Sequence, residues 1–594
     1  MLSPHTFHIP VMGLGFTVDS PIKVAQFGIS SVVSIMDDHL LEDMRRYYSR
    51  TYQIPYLPID EGSEDYRAKR VTAYLNLLQE VVDQQIGVLK QADFESSREI
   101  NQYFQLLPEQ HPAAACYQQM MNSEGKQRQV LQEKLREYIQ PGQIDVNIMT
   151  KVDKINYNKA GEALPREYSD ALSALRGFAK SKAKGSVVFS AGLNPALFAY
   201  AEQFEDFFPD QNGKIKKGII LKVSDYRSAL IQGRFLAKKG LWVSEFRIES
   251  GLNCGGHAFA TDGLLVGPIL EDFKNNRAQL TQTLLTGCQQ VWKEKGYTSI
   301  AAQAVPKITY QGGIGNAEEN AFLLKHYELD GTGWGSPFLL VPEATSVDED
   351  TLQRLLKAKK SDFYLSHASP LGVPFNNLRT SSGEDQRKAR IAKNRPGSPC
   401  YKKFLTFSTE FSEKPICTAS REYQHLKLKQ LDRGEVGEQE VNEILEKDCL
   451  CEGLSAPALL SAGEQPRRNL NAVTICPGPN LAYFKGTFTL KEMVDHIYGK
   501  IQLQLDPDRP HVFIKELQLY VQHLQKEIEK SLPEQTAKYV SYIDKFKTNL
   551  NDGINYYQDL VQRVNLDANH VLEQMKVQLK TLQEEVQGMV PTVS

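Results

Sequence analysis

Tyr310-Gln311-Gly312-Gly313-Ile314-Gly315 follows the β-prone run Lys307-Ile308-Thr309, and Gly331-Thr332-Gly333-Trp334-Gly335-Ser336-Pro337-Phe338 answers it about twenty residues later. The residues between them, Asn316 to Glu328, have a helix-like pattern. Two glycine turns, each closing a short strand, are what a (β/α)8 barrel uses to hold a phosphate. Its loops after strands 7 and 8 bring backbone N–H groups and a short helix N-terminus to one anion, and glycine lets that backbone approach closely. A single Gly-Gly pair reads as a tight turn; two at barrel spacing predict a phosphorylated cofactor.

Working outward, short apolar or β-branched runs ended by Gly, Asn, Ser or Asp recur in the order of alternating β and α units. They predict strands at His8 to Met12, Ser31 to Ile35, Ile144 to Met149, Ser186 to Ser190, Gly218 to Val223 and Val243 to Ile248, with the two glycine turns capping strands 7 and 8. Helices are expected over Pro195 to Phe208, Tyr226 to Lys239 and roughly Asp272 to Lys295. The fold class is α/β: a TIM (β/α)8 barrel with a large helical insertion and a C-terminal helical region. An open doubly wound sheet places its phosphate turn after the first strand, and Met12-Gly13-Leu14-Gly15 keeps that alternative open.

The expected organisation is a barrel over 1–365, a Cys-containing post-barrel region over 366–505 and a helical region over 506–594. Within the barrel, 61–140 is a polar, Gln- and Glu-rich insertion with helical apolar spacing at Val71, Leu75, Leu78, Val81 and Val82. It either covers the barrel mouth or a partner, or decorates the surface. Three apolar stripes follow Pro510: Phe513 to Ile528, Tyr539 to Tyr557, and Val564, Ala568, Val571, Met575, Leu579, Leu582 and Val586, with Pro533 separating the first two. A small bundle, a homo-oligomerisation arm or packing on the barrel would each bury them.

The 594 residues carry a formal net charge of −3, which gives no electrostatic reason to expect nucleic acid. No apolar run reaches the roughly eighteen residues of a membrane span. Met1 to Pro10 lacks the basic and apolar regions of a secretory signal, so a cytoplasmic protein is expected. Eight cysteines are too sparse for a disulfide scaffold.

The sixth predicted strand runs into Glu249-Ser250-Gly251-Leu252-Asn253-Cys254-Gly255-Gly256-His257. A histidine after a Gly-Gly turn at the carboxyl end of a barrel strand sits where catalytic groups of this architecture are found, and its ordinary pKa of about 6.5 suits proton transfer. His257 is the candidate catalytic residue. Cys254 has no base fixed near it in sequence, so nucleophilic catalysis is not expected.

These segments, together with Met12-Gly13, Val146-Asn147 and Pro342-Glu343-Ala344, resemble the FMN-dependent nitronate monooxygenase (2-nitropropane dioxygenase) family over about Pro10 to Arg379, the insertion excluded. A shorter segment, Ile475-Cys476-Pro477-Gly478-Pro479-Asn480-Leu481-Ala482-Tyr483-Phe484-Lys485-Gly486, resembles the enoyl reductase component of polyunsaturated fatty acid synthases. The resemblance implies an FMN-dependent oxidoreductase acting on a small-molecule or acyl substrate, with His257 as the proton-transfer residue. It implies that Gly312, Gly313, Gly335 and Ser336 hold the FMN phosphate, with Met12, Gly13 and Asn147 near the ring and Gly255 and Gly256 in the adjoining turn. Two departures stand out: Ser336-Pro337 replaces the family's Thr-Arg, and Asn253-Cys254 replaces its acid and Ala. Lys222, ending the fifth strand, supplies the missing charge near the flavin or is solvated. The other reading is a non-catalytic or ligand-binding barrel subunit of a larger synthase.

Cys400, Cys417, Cys449, Cys451 and Cys476 gather after the barrel. Thiolates select zinc or iron–sulfur clusters, and Cys449-Leu450-Cys451 offers two ligands, although the spacing fits no standard motif; buried free thiols are the alternative. Arg387, Lys388, Arg390, Lys393 and Arg395 form a basic run that is a solvated face, a site for an acidic acyl carrier protein or a site for a phosphate-rich substrate.

Overall fold

Eight short runs form β1 (Phe7–Ile9), β2 (Ser30–Ser34), β3 (Ile144–Ile148), β4 (Ser186–Phe189), β5 (Gly218–Val223), β6 (Val243–Glu249), β7 (Lys307–Gln311) and β8 (Gly331–Gly333). In this computed structural model they pair in parallel and in chain order, and β1 closes on β8 through Phe7↔Thr332 and His8↔Gly333. That closure makes a barrel and excludes the open sheet. The structure describes residues 3–158, 160–190, 192–254, 262–300, 304–529, 537–563 and 569–589.

β1 ends at Ile9, three residues before its expected end. Pro10 follows and has no N–H for a ladder, so Met12 and Gly13 fall in the loop beyond the strand. Side chains alternate across each strand. Asp145 and Asn147 on β3 share one parity, as do Glu245, Arg247 and Glu249 on β6, and these point inward. Deep in the barrel, Arg247 Nε donates to Glu245 Oε1 at 2.8 Å and the Thr309 hydroxyl donates to the same oxygen at 2.6 Å. Burial alone would raise the Glu245 carboxyl, but the Arg247 guanidinium holds it down at about 2. Asp145, 3.7 Å from Arg247 NH2, is pushed up by burial to about 6. Val11, Val32, Val188 and Ile220 make a separate apolar cluster.

The insertion does not cover the barrel mouth. Its first helix, Tyr66–Gln91, joins the outer helical ring: the Tyr74 hydroxyl donates to Val18 O at 2.9 Å, and a Cβ on Gly177 would come within 2.6 Å of Val71 Cβ. Helices Arg98–Leu106, Pro112–Met121 and Gly125–Tyr138 lie at the amino ends of the strands. There Tyr103 donates to Gln140 O, just before β3, and Lys500 caps Gln105 O and Leu107 O.

The C-terminal helices Val512–Glu529, Ala537–Arg563 and Asn569–Gly588 pack on one another, and the first two also pack on the long helix Val266–Lys295. Phe513, Leu517, Ile543, Phe546, Leu550, Ile554, Tyr557, Leu579 and Val586 are buried by these contacts. The apolar stripes thus form a bundle and cover the barrel at once. Val564, Ala568 and the Val571 side chain lie outside the described residues. Helix Val266–Lys295 begins six residues earlier than expected, and the segment after β4 is helical only over Pro195–Tyr200 before tightening into short 3-10 turns.

Candidate active site

At the carboxyl ends of the strands a cavity of about 280 Å3 opens, walled on one side by Gly13, Ser34, Asn147, Ser190, Lys222, Glu249 and Asn253. The other wall comes from the post-barrel region: Leu371, Val373, Phe375, Phe404, Leu405, Leu450, Cys451 and Leu454. This volume stands close to the lower end of the roughly 300–1,000 Å3 of small-molecule sites, and an apolar wall with a few polar groups is their usual lining.

Its polar group centres on Glu249, the last residue of β6. One carboxylate oxygen, Oε1, pairs with Lys222 Nζ at 2.7 Å, accepts from Gln311 Nε2 at 2.6 Å, and accepts from Asn253 Nδ2. Gln311 Oε1 in turn lies 3.3 Å from His8 Nε2, and burial pushes the His8 imidazole down to about 3. His8 is therefore neutral at physiological pH. On the opposite side the Ser190 hydroxyl donates to Asn147 Oδ1 at 2.9 Å. Lys222 is not solvated: its side chain is 10 % exposed and held by Glu249.

The expected residues divide. Gly13, Asn147 and Lys222 line the cavity. Met12 is fully buried behind it, its Sδ 3.7 Å from where a Cβ on Gly335 would stand. Gly255, Gly256 and His257 lie outside the described residues.

The two late glycine turns approach protein. A Cβ on Gly312 would come within 2.7 Å of Ser250 Oγ, one on Gly313 within 2.5 Å of Leu252 Cδ1, and one on Gly335 within 3.2 Å of Cys254 Cβ. Gly478, from the segment resembling the enoyl reductases, closes the group: its backbone (φ +69°) puts a would-be Cβ 2.7 Å from Ser336 Oγ. The glycines thus let the turns after β7 and β8, the loop after β6 and the Pro477–Asn480 segment pack backbone to backbone. Among the described residues, the glycine positions therefore meet protein atoms.

Sequence reasoning missed the residue that fixes the β7 turn. Arg509 NH2 donates to Gly313 O at 2.9 Å, its NH1 and NH2 each donate to Glu319 at 2.8 Å, and its Nε donates to Asn480 Oδ1 at 3.0 Å. Glu319 also accepts from Gly315 N and Val512 N, both at 2.9 Å. Burial alone would raise its carboxyl, but the Arg509 guanidinium holds it below the ordinary range. Arg509 thus stands at the β7 turn, not at Ser336-Pro337 beyond β8, and it is already paired. Nothing in sequence joins it to a partner 190 residues away.

The cysteines do not gather into one centre. Cys451 lines the barrel-mouth cavity, whereas the Cys476 carbonyl accepts from the Cys254 thiol at 3.2 Å near Ser336. Cys400 and Cys417 are hydrogen-bonded to each other, with Cys449 nearby. Among the described residues no three His, Cys, Asp or Glu side chains are placed to hold a metal ion, so zinc or an iron–sulfur cluster at Cys400, Cys417, Cys449, Cys451 and Cys476 finds no support. Burial raises the Cys254 thiol well above its ordinary value. The basic run is not one face: Arg387 is bound to Glu384 at 2.7 Å, Arg390 is half-buried, and Lys388, Lys393 and Arg395 are exposed.

No family profile matches this chain, and no curated protein does. Solved structures similar to it include two enzymes. One is the enoyl reductase domain of MlnA from the macrolactin biosynthesis cluster of Bacillus amyloliquefaciens, 14 % identical, covering 72 % of this chain and 87 % of that one at a TM-score of 0.33. The other is nitroalkane oxidase from Streptomyces ansochromogenes, 10 % identical, covering 84 % of this chain and 96 % of that one at a TM-score of 0.35. Superpositions at that level carry no argument about chemistry. Among the described residues no helix is long and apolar enough to cross a membrane.

Proposed function

We propose that this chain is an FMN-dependent oxidoreductase of the nitronate monooxygenase and enoyl reductase type, working in the barrel-mouth cavity. The observation that carries the proposal is the Lys222–Glu249–Gln311–Asn253 group at the carboxyl ends of β5, β6 and β7, facing a wall of aliphatic and aromatic side chains. Catalytic residues of (β/α)8 barrels come from these strand ends.

FMN, when bound, supplies the electron transfer. The residues would do the rest. Gly13, Asn147 and Ser190 line the place for its ring, and Lys222 sets a positive charge there that Glu249 orients. Gly312, Gly313, Gly335 and Ser336, with Gly255 and Gly256, remain the proposed phosphate end on the family resemblance alone. His257 is the proposed proton-transfer group, its imidazole giving or taking a proton at the reacting carbon. The apolar wall excludes water and accepts an acyl chain better than a compact polar nitronate, so reduction of an activated double bond on an acyl substrate is the favoured reaction, with an acyl carrier protein as the proposed partner. A barrel subunit acting only as a scaffold is the second reading, favoured by the close packing of the glycine turns.

The absorption spectrum of the untreated protein tests the cofactor. A flavin band, or its appearance on adding FMN, followed by bleaching with a hydride donor and recovery on adding an enoyl thioester, is the expected result. A colourless protein that takes up no FMN would establish the scaffold reading.

A further inference from the structure

A second cavity, of about 740 Å3, lies in the post-barrel region apart from the barrel mouth. It is lined by Arg395, Ser398, Lys403, Arg421, Glu422 and His425. Its inner end is built by a backbone pairing: Ser398 N donates to Ala419 O at 2.9 Å, and Arg421 N donates to Ser398 O at 2.8 Å. Arg421 also opens a twelve-residue helix, Arg421–Asp432, capped by the Ser420 hydroxyl, which accepts from Tyr423 N. The partial positive charge of a helix N-terminus therefore faces the cavity beside a guanidinium.

Two buried polar groups there lack partners. Ser398 is only 4 % exposed; its Oγ stands beside the Cys449 thiol, but no partner meets it at hydrogen-bonding geometry. Arg421 Nε is likewise buried and unpartnered. Such groups cost free energy unless something completes them. Among the described residues Arg395, Lys403 and Arg421 make no ion pair with a carboxylate, and Glu422 is the one acid of the lining. Three cations against one carboxylate leave room for a dianion, and arginine forks match phosphate oxygens two at a time.

We propose that this cavity binds a small molecule carrying a diphosphate group, its phosphates held by Arg421, Ser398 and the helix N-terminus, with Arg395 and Lys403 at the rim. The volume lies within the range of small-molecule sites and exceeds what an inorganic anion needs. The site does not depend on the flavin reading, because it shares no lining residue with the barrel-mouth cavity.

Calorimetric titration of the full chain with pyrophosphate, ADP and adenosine tests it. Pyrophosphate and ADP are expected to bind, adenosine not, and affinity should fall as salt rises. Arg421→Met should weaken ADP by about tenfold or more, the scale of one lost charge-assisted pair; Lys403→Met, at an exposed position, should weaken it less without touching the fold. ADP binding much tighter than pyrophosphate identifies a nucleotide, and equal binding identifies the free diphosphate. No binding of either anion, adenosine binding as tightly as ADP, or ADP affinity unchanged in both variants would overturn the proposal.

Discussion

Lys222 Nζ stands 2.7 Å from Glu249 Oε1 across the mouth of the barrel, joining the ends of two adjacent strands whose own register pairs Lys222 with Arg247. The pair brings a cation to the cavity without leaving it free, because Gln311 and Asn253 bind the same carboxylate oxygen. Removing the cation leaves that carboxylate facing the reacting space. Lys222→Met should therefore lower turnover by about 10²–10⁴-fold, the span of a lost acid–base or charge-stabilising group, while Glu249→Gln, which keeps hydrogen bonds, should cost less. Steady-state kinetics with circular dichroism as a folding control checks the order; Glu249→Gln losing more than Lys222→Met would contradict it.

His257 has a separate prediction. As the proposed proton-transfer residue it should give, as His257→Ala, a fall in turnover of about 10²–10⁴-fold with flavin still bound. Unchanged turnover, measured together with flavin absorbance, would assign His257 to structure.

The strands were legible because most are short apolar or β-branched runs bounded by a turn residue, and the two glycine turns announced the last pair. Their ladder positions shifted by only a few residues, for reasons such as Pro10 that the chain itself states. Lys222 was legible as a strand-end cation, but its partner was not: Glu249 reads as one more residue ahead of a glycine turn until β5 and β6 are laid side by side. Arg509 and Glu319 were invisible for the same reason at longer range. The placement of the insertion was hidden as well. Its apolar spacing at Val71, Leu75 and Leu78 marks a buried face but not which end of the barrel that face meets.

Arg509 and Glu319 define a stability test. Both side chains are nearly inaccessible, and removing one partner of a buried pair typically costs about 3–5 kcal/mol because the other charge is left unpaired. Arg509→Met should lose stability on that scale in urea unfolding, and Arg509→Met/Glu319→Gln should recover much of it. In wild type the sign with pH follows from the depressed carboxyl: its contribution is present above the ordinary carboxylate range and is lost as pH falls through its folded value. A double variant no more stable than the single one would show that shape rather than charge dominates.

Cys400 is expected to be the first thiol alkylated at neutral pH. Its hydrogen bond with Cys417 lowers its pKa, and it is partly exposed, whereas burial raises Cys254 and Cys451. Peptide mass spectrometry after brief iodoacetamide treatment reads this directly, and earlier labelling of Cys254 or Cys451 would refute it.

Glu516 carries the last prediction. It lies on the first C-terminal helix, 1 % exposed, and accepts from Val266 N at 2.9 Å where the helix Val266–Lys295 begins. Burial among Tyr310, Tyr520 and Tyr557 pushes its carboxyl up to about 8, despite that hydrogen bond. The folded chain then holds a proton that the unfolded chain releases near the ordinary value of about 4.3. Folded stability from this group is complete below that value and declines, by up to roughly 1.4 kcal/mol per pH unit, until the pH passes about 8. Glu516→Gln keeps the shape, still accepts from Val266 N and cannot ionise, so its urea midpoint should vary less between pH 5 and 9 than that of wild type. Parallel pH profiles for the two proteins would place the titration elsewhere.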